Sequence, residues 1–192
     1  MERRNREIAR ARSFEGVRRT GTEGRKVVKA EEILAKIERG KSIEYENVIV
    51  EGDLDLRTVA LRTENTWTTS LLELGDEDDQ IIVKKKMASP PISIINSEIR
   101  EIVNFGNIIF YNEVNFCHTT FKAFVSFGGA QFHKNAIFEN TIFKNSSSFM
   151  GAKFDEGVSF KNTQFCKKPC LPALSSIEVQ TFPMLYSSKR VS

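Results

Sequence analysis

An all-β solenoid with four short sides to each coil is the fold that this 192-residue sequence predicts, and two spacings carry that reading. The first is the set Phe105, Phe110, Phe116, Phe121, Phe127, Phe132, Phe138, Phe143, Phe149, Phe154, Phe160 and Phe165, whose separations alternate strictly between 5 and 6. Ile94 and Ile99 extend the series backwards in phase. The second is a smaller side chain two residues before each marked position, from Ser97 and Val103 through Val125 and Ala136 to Val158 and Thr163. A period of two puts both members of a pair on one side of an extended backbone.

An α-helix fails this pattern, because steps of 5 and 6 residues at about 100° each scatter successive Phe over different faces. A flat hairpin sheet needs longer strands between its turns. A wound chain satisfies it: each short side points one large and one small residue inward, then turns on Gly, Asn, Ser, Lys and Glu. Four sides make a 22-residue coil, climbing by one strand spacing of about 4.8 Å. Residues 22 apart then stack, which sorts the twelve Phe into four columns headed by Phe105, Phe110, Phe116 and Phe121. The same shift sets Lys134 against Glu156, Glu139 against Lys161 and His133 against Asp155, and puts Asn140 in a column with Asn162. Opposite charges across a ladder are mildly favourable. Lys122 over Lys144 is the one clash.

The remaining segments follow in chain order. Residues 1–29 are rich in Arg, interspersed with Glu, and poor in large apolar side chains, as expected of a disordered basic arm. Within 30–47, Ala30 to Arg39 reads as a short capping helix with Ile33, Leu34 and Ile37 on one face, Glu31 and Glu32 at its positive end, and Gly40 in the left-handed position that ends it. Residues 48–61 supply strand-sized pieces, with Val50, Leu56 and Leu61 in loose phase with the repeat. Residues 62–91 break the pattern with Asp76-Glu77-Asp78-Asp79, Lys84-Lys85-Lys86 and Pro90-Pro91, suggesting an excursion in which Trp67 to Leu74 pairs with Ile81 to Val83. The repeat proper spans 92–165. Residues 166–192 lose all periodicity, as expected of an irregular tail.

The run Phe127-Gly-Gly-Ala-Gln-Phe132-His-Lys-Asn-Ala-Ile-Phe138 resembles the Phe-type pentapeptide-repeat proteins. The resemblance covers 94–165 well and 48–61 loosely. It implies a right-handed quadrilateral β-helix. Some family members imitate a DNA duplex and bind DNA gyrase, which requires a strongly acidic rod. Here residues 94–165 carry six Lys and Arg against six Asp and Glu, so mimicry is disfavoured.

Several side-chain groupings invite a chemical reading. Cys117, His118 and His133, or Cys166 with Cys170, fall short of four convergent metal ligands. Asp53 with Asp55, and the 76–79 cluster, read as a strand edge and a solvated turn rather than as acid–base pairs. No hydrolase, zinc-protease, Walker or dinucleotide motif occurs. Asn145-Ser146-Ser147 matches a glycosylation acceptor, expected to be without consequence in a cytoplasmic chain. The expectation is a non-enzymatic, cytoplasmic scaffold with no cofactor and no membrane span, binding an unknown protein through its outer faces. The alternative uses the basic arm on nucleic acid, which its glutamates weaken. An open last coil exposes unpaired backbone, so a homodimer through the C-terminal coil, or a missing partner domain, is expected to close it.

Overall fold

The computed structural model describes residues 24–69, 80–167 and 169. Strand β1 (Lys26–Lys29) leads into helix α1 (Ala30–Glu38), followed by β2 (Ile43–Glu46), β3 (Val48–Glu51), β4 (Leu54–Asp55) and a 3-10 turn, Leu56–Thr58. Two long strands, β5 (Thr63–Thr69) and β6 (Gln80–Ala88), precede β7 (Ile92–Ile95) and β8 (Glu98–Ile99). Strands of two or three residues then continue to Gln164–Phe165.

These strands stack into four mostly parallel sheets, the four faces of a β-solenoid. The first face holds β2, β7, Val114–Asn115, Ala136–Ile137 and Val158–Ser159. The second holds β1, β3, β8, Thr120–Phe121, Ile142–Phe143 and Gln164–Phe165. The third holds β4, Val103–Asn104, Val125–Ser126 and Ser147–Ser148. The fourth runs β5, β6, Ile108–Phe110, Gln131–Phe132 and Lys153–Phe154.

Wherever the repeat is uninterrupted a 22-residue register holds, as in Ile99 to Phe121 to Phe143 to Phe165. Rings in register lie nearly parallel at the strand spacing. Phe110, Phe132 and Phe154 are 4.9 Å apart at each step, and Phe121, Phe143 and Phe165 are 5.0 Å apart with planes within 3°. Phe105, with Leu56 beneath it instead of a ring, meets Phe127 edge-on at 76°. From Phe105 to Phe149 every column Phe is fully buried. Each such ring contributes roughly 1.5–3 kcal/mol by area, which lets a narrow core offset the entropy of ordering its coils.

The alternation of 5 and 6 has a structural cause. From Phe116 onward each five-residue step is a tight corner in which the residue after the turn donates to the Phe that opens it: Thr119 N–H to Phe116 at 3.1 Å, Ala130 to Phe127 at 3.0 Å, Thr141 to Phe138 at 3.2 Å. The third residue of such a turn takes positive φ, which favours Gly and Asn. His118, Gly129, Asn140, Gly151 and Asn162 occupy it, with φ between 54° and 67°. At Gly129 any side chain is also excluded by contact, since a Cβ would fall 2.4 Å from Asn107 Oδ1. Six-residue corners are held instead by bonds to neighbouring coils, such as His133 N–H to Phe110 C=O at 2.9 Å.

On the second face the small inward positions carry hydroxyls, and each finds a backbone partner. Thr119 Oγ1 donates to Ile94 C=O and Thr141 Oγ1 to Phe116 C=O, each at 2.7 Å, and Thr163 Oγ1 donates to Phe138 C=O. Ser97 Oγ donates to Ile95 C=O and accepts from Val48 N–H. Buried hydroxyls without such partners are costly. Ser147, on the third face, is the exception: it continues the column of Val103 and Val125, and its Oγ is buried with no hydrogen-bond partner.

Three features differ from the sequence reading. Lys26–Lys29, assigned to the arm, is a parallel strand that adds Val28 below Val50. The excursion hairpin starts earlier and runs longer than expected, with Thr63 opposite Lys86 and Thr69 opposite Gln80. Because it inserts inside the first coil, the register from that coil to the next is 49 rather than 22, as in Val50 to Ile99 and Leu54 to Val103. Leu61 therefore misses the slot beneath Phe110. Ala88, at the end of β6, fills it.

Helix α1 packs on the first coil by Ala30, Ile33 and Ile37. It ends in a Schellman arrangement, with Gly40 N–H to Ile37 C=O, Lys41 N–H to Lys36 C=O, and Gly40 at φ 67°. Tyr45 of β2 pins it, donating to Glu32 at 2.6 Å and accepting from Lys36 at 2.6 Å.

Phe138 touches the rings of Phe116, Phe127, Phe143, Phe149 and Phe160. Phe138→Ala is expected to cost about 3–5 kcal/mol in urea unfolding, and Phe165→Ala in the last described coil clearly less. Ser147→Ala removes an unpaired buried hydroxyl and is expected to stabilise by about 1 kcal/mol in the same assay.

Candidate interaction surface

Two side chains per side face inward, so what the molecule offers to others is its outward columns. On the second face these columns form an ion-pair ladder. Lys29 meets Glu51 at 2.9 Å, Glu51 meets Arg100 at 2.7 Å, Arg100 meets Glu98 at 3.1 Å and Lys122 reaches Glu98 at 3.1 Å. The ladder joins β1, the first coil and the two coils above it across the 49-residue step. Ile49, outward on the same face, is buried.

Four carboxylates, Glu32, Glu51, Asp55 and Glu98, are held below their ordinary range. Lys29, by hydrogen bond and charge, lowers Glu51, and the Arg57 hydrogen bond lowers Asp55. Burial pushes Glu98 upward, but Arg100 and Lys122 more than offset it. Tyr45 and Lys36 lower Glu32.

The third face is different in kind. Residues 102–107, 124–129 and 146–151 contain no charged side chain. Outward along this face run Asn104, Ser126 and Ser148, then Gly106, Gly128 and Met150. Asn104 Oδ1 accepts from Gly106 N–H and Ser126 Oγ from Gly128 N–H, each at 3.3 Å, so these side chains lie back on the backbone and keep the face flat. Apolar groups edge it: Ile102 is 44% exposed and Phe124, one coil above, 39%, while Met150 at the opposite corner is 60% exposed. Below, Asp55 and Arg57 neutralise each other at 2.7 Å.

The hairpin is clamped at its base by two lysines. Lys86 donates to the carbonyls of Arg57 and Val59, and Lys85 donates to Gly129 C=O at 2.8 Å. Lys85 is only 8% exposed, and burial, then the charge of Lys153, pushes its amine down. Tyr111 donates to Glu64 of β5.

The residues with a possible chemical reading are dispersed. His118 sits at a positive-φ corner, 3.4 Å from Asn140 Nδ2, whereas His133 lies at another corner between Tyr111 and Asp155. Cys117 is raised by burial and by Glu139. Asp53 Oδ1 accepts from Ile102 N–H at 3.0 Å, and Asp55 accepts from Arg57 N–H at 2.9 Å, so both carboxylates serve the backbone. Among the described residues no group of three or more His, Cys, Asp or Glu could hold a metal ion. Asp76 to Asp79 and Cys170 lie outside the described residues. Of the stacked pairs, Lys134 meets Glu156, His133 meets Asp155, and Asn162 donates to Asn140 at 3.2 Å. Glu139 accepts instead from Ser159 Oγ at 2.8 Å, and Lys122 avoids Lys144 by turning down to Glu98. Sequence reasoning missed the Glu51 to Arg100 pair and the Lys86 contacts because these cross the insertion, where the shift of one coil no longer aligns partners; Lys29 with Glu51, at 22 residues, and Lys85 with Gly129, at 44, keep the period and were open to it. The uncharged face was available to it, as three stretches at the repeat spacing without Lys, Arg, Asp or Glu.

No family model matches the chain, and no curated protein or solved structure matches it either. The architecture stands on its own terms: this is a repeat protein, a β-solenoid with a 22-residue coil. Among the described residues no helix is long and apolar enough to cross a membrane.

Because Glu32, Glu51, Asp55 and Glu98 have folded values below their unfolded ones, the stability they add is fully present above the unfolded carboxylate range, near pH 4. It is lost as pH falls through the folded values. The melting temperature is expected to be level from about pH 7 to pH 5 and to drop below about pH 4, less steeply in Glu51→Gln/Glu98→Gln.

Proposed function

We propose that this chain is a non-enzymatic scaffold of the Phe-type pentapeptide-repeat kind that docks a protein partner on its outer surface in the cytoplasm. The observation that carries the proposal is the contrast between its faces. The interior is filled by stacked rings, so the outside is where specificity can reside. The second face spends its charges on one another, whereas the third presents a flat, charge-free strip edged by exposed Ile102, Phe124 and Met150. Protein interfaces characteristically have cores depleted in charge and enriched in Phe and Met. Side chains held against the backbone also lose little freedom on docking.

Phe124→Lys with Met150→Lys places two charges on that strip without touching an inward position. Crosslinking in native cells is expected to recover a discrete protein partner with the unaltered chain, to lose it with the double variant, and to keep it when Lys144→Ala alters the second face instead. Equal recovery with the double variant would remove the third face from the proposal. Recovery of nucleic acid that is salt-dependent and requires residues 1–23 would replace the scaffold reading altogether.

A further inference from the structure

A solenoid with open ends exposes strand edges, and this one treats its edges unequally. At the far end the last described strands of all four sheets, Ser147–Ser148, Lys153–Phe154, Val158–Ser159 and Gln164–Phe165, are two residues long. At the near end β1 is Lys-Val-Val-Lys, β2 is Ile-Glu-Tyr-Glu, and β4 has two residues. Short strands and edge charges are the usual devices that keep sheets from joining. β5 has neither. It is seven residues long, Thr-Glu-Asn-Thr-Trp-Thr-Thr, and it ends the fourth sheet with no strand on its outer side among the described residues. Its single charge, Glu64, is taken by the hydroxyl of Tyr111.

The ladder with β6 fixes which groups of β5 face outward. Met87 N–H donates to Arg62 C=O, and residues 62 and 87 are opposite each other in the register. In an antiparallel pair hydrogen-bonded and non-hydrogen-bonded positions alternate. Arg62, Glu64, Thr66 and Thr68 therefore turn their backbone groups toward β6, and Thr63, Asn65, Trp67 and Thr69 turn theirs to the open side.

We propose that β5 pairs antiparallel with β5 of a second copy, about a two-fold axis through Thr66. That register alone brings all seven residues into the ladder. Asn65 then bonds Trp67 of the second copy and Thr63 bonds its Thr69, so every outward N–H and C=O is satisfied. It is also self-complementary in charge. Glu64 faces Thr68, and no two like charges meet. The Thr-rich strand gains cross-strand partners of the kind that stabilise sheets. The fourth sheet becomes continuous through both molecules. Thr63, the end joined to the coil, lies opposite Thr69 of the second copy, so the two coils sit at opposite ends of the shared ladder.

Thr66 faces itself at a non-hydrogen-bonded site, where Cα atoms are about 4.5 Å apart, within the range a disulfide spans. Sedimentation equilibrium of the full chain is expected to show a dimer. Mild oxidation of Thr66→Cys is expected to give mostly a disulfide-linked dimer, with the unaltered chain as control for the native cysteines. Asn65→Pro deletes an outward N–H and leaves the β6 ladder intact. It is expected to weaken the dimer by roughly tenfold or more with an unchanged circular dichroism spectrum. If Thr66→Cys fails to fold, amide exchange on the unaltered protein decides: protection of Thr63, Asn65, Trp67 and Thr69 must rise with concentration. A monomer at all concentrations overturns the proposal. So does a dimer that survives Asn65→Pro unchanged, which would instead place the contact at the last coil.

Discussion

The width of one coil is the constraint on which everything else rests. Four inward-facing rings must meet across an interior with room for nothing more, and each must repeat at the strand spacing above and below. Parallel phenyl rings about 5 Å apart satisfy both demands at once, because the separation that suits stacked aromatics is close to the separation that backbone hydrogen bonds impose between strands. The position two residues earlier must then be small. On the second face, where it carries oxygen, the Thr hydroxyls find a carbonyl one coil below, as Thr119 and Thr141 do.

Corners follow from the same demand. A side only two or three residues long leaves so little chain for turning that alternate corners use a left-handed residue, which explains the columns of Asn, Gly and His at positive φ. His118 is thereby accounted for without any chemistry. It holds a place that Asn holds one coil below and one coil above. The surface is what remains after these requirements are met, and its faces have diverged: one is locked by its own ion pairs, another is bare of charge.

The repeat was legible in the sequence wherever phenylalanine marks it, since a 22-residue period leaves a visible trace when one large ring recurs in each side. The helix and its Gly40 terminus were legible too, through ordinary capping chemistry. What lay hidden was the first coil. Its inward positions include Val50, Leu56 and Ala88, with Tyr45 beneath Ile94 and Val28 one strand below Val50; none is a Phe, and a hairpin separates Ala88 from the others. Leu61 had the right spacing and the wrong place, because chain distance ceases to report position once a hairpin loops out of the coil. The surface was half legible. Local pairs such as Lys134 with Glu156 follow from the period, while the Glu51 to Arg100 contact and the reach of Lys86 to Arg57 and Val59 depend on a register that no spacing rule announces.

Removing one whole coil tests the central claim most directly. Deleting residues 121–142 joins Thr120 to Phe143 and should leave a shorter solenoid in which every ring still meets its column. It should unfold in one cooperative transition, with a smaller dependence on urea in proportion to the surface lost. Deleting residues 121–140 removes nearly the same mass but shifts the register by two and should abolish folding. If both shortened chains fold alike, or neither does, the interior is not organised by a 22-residue coil.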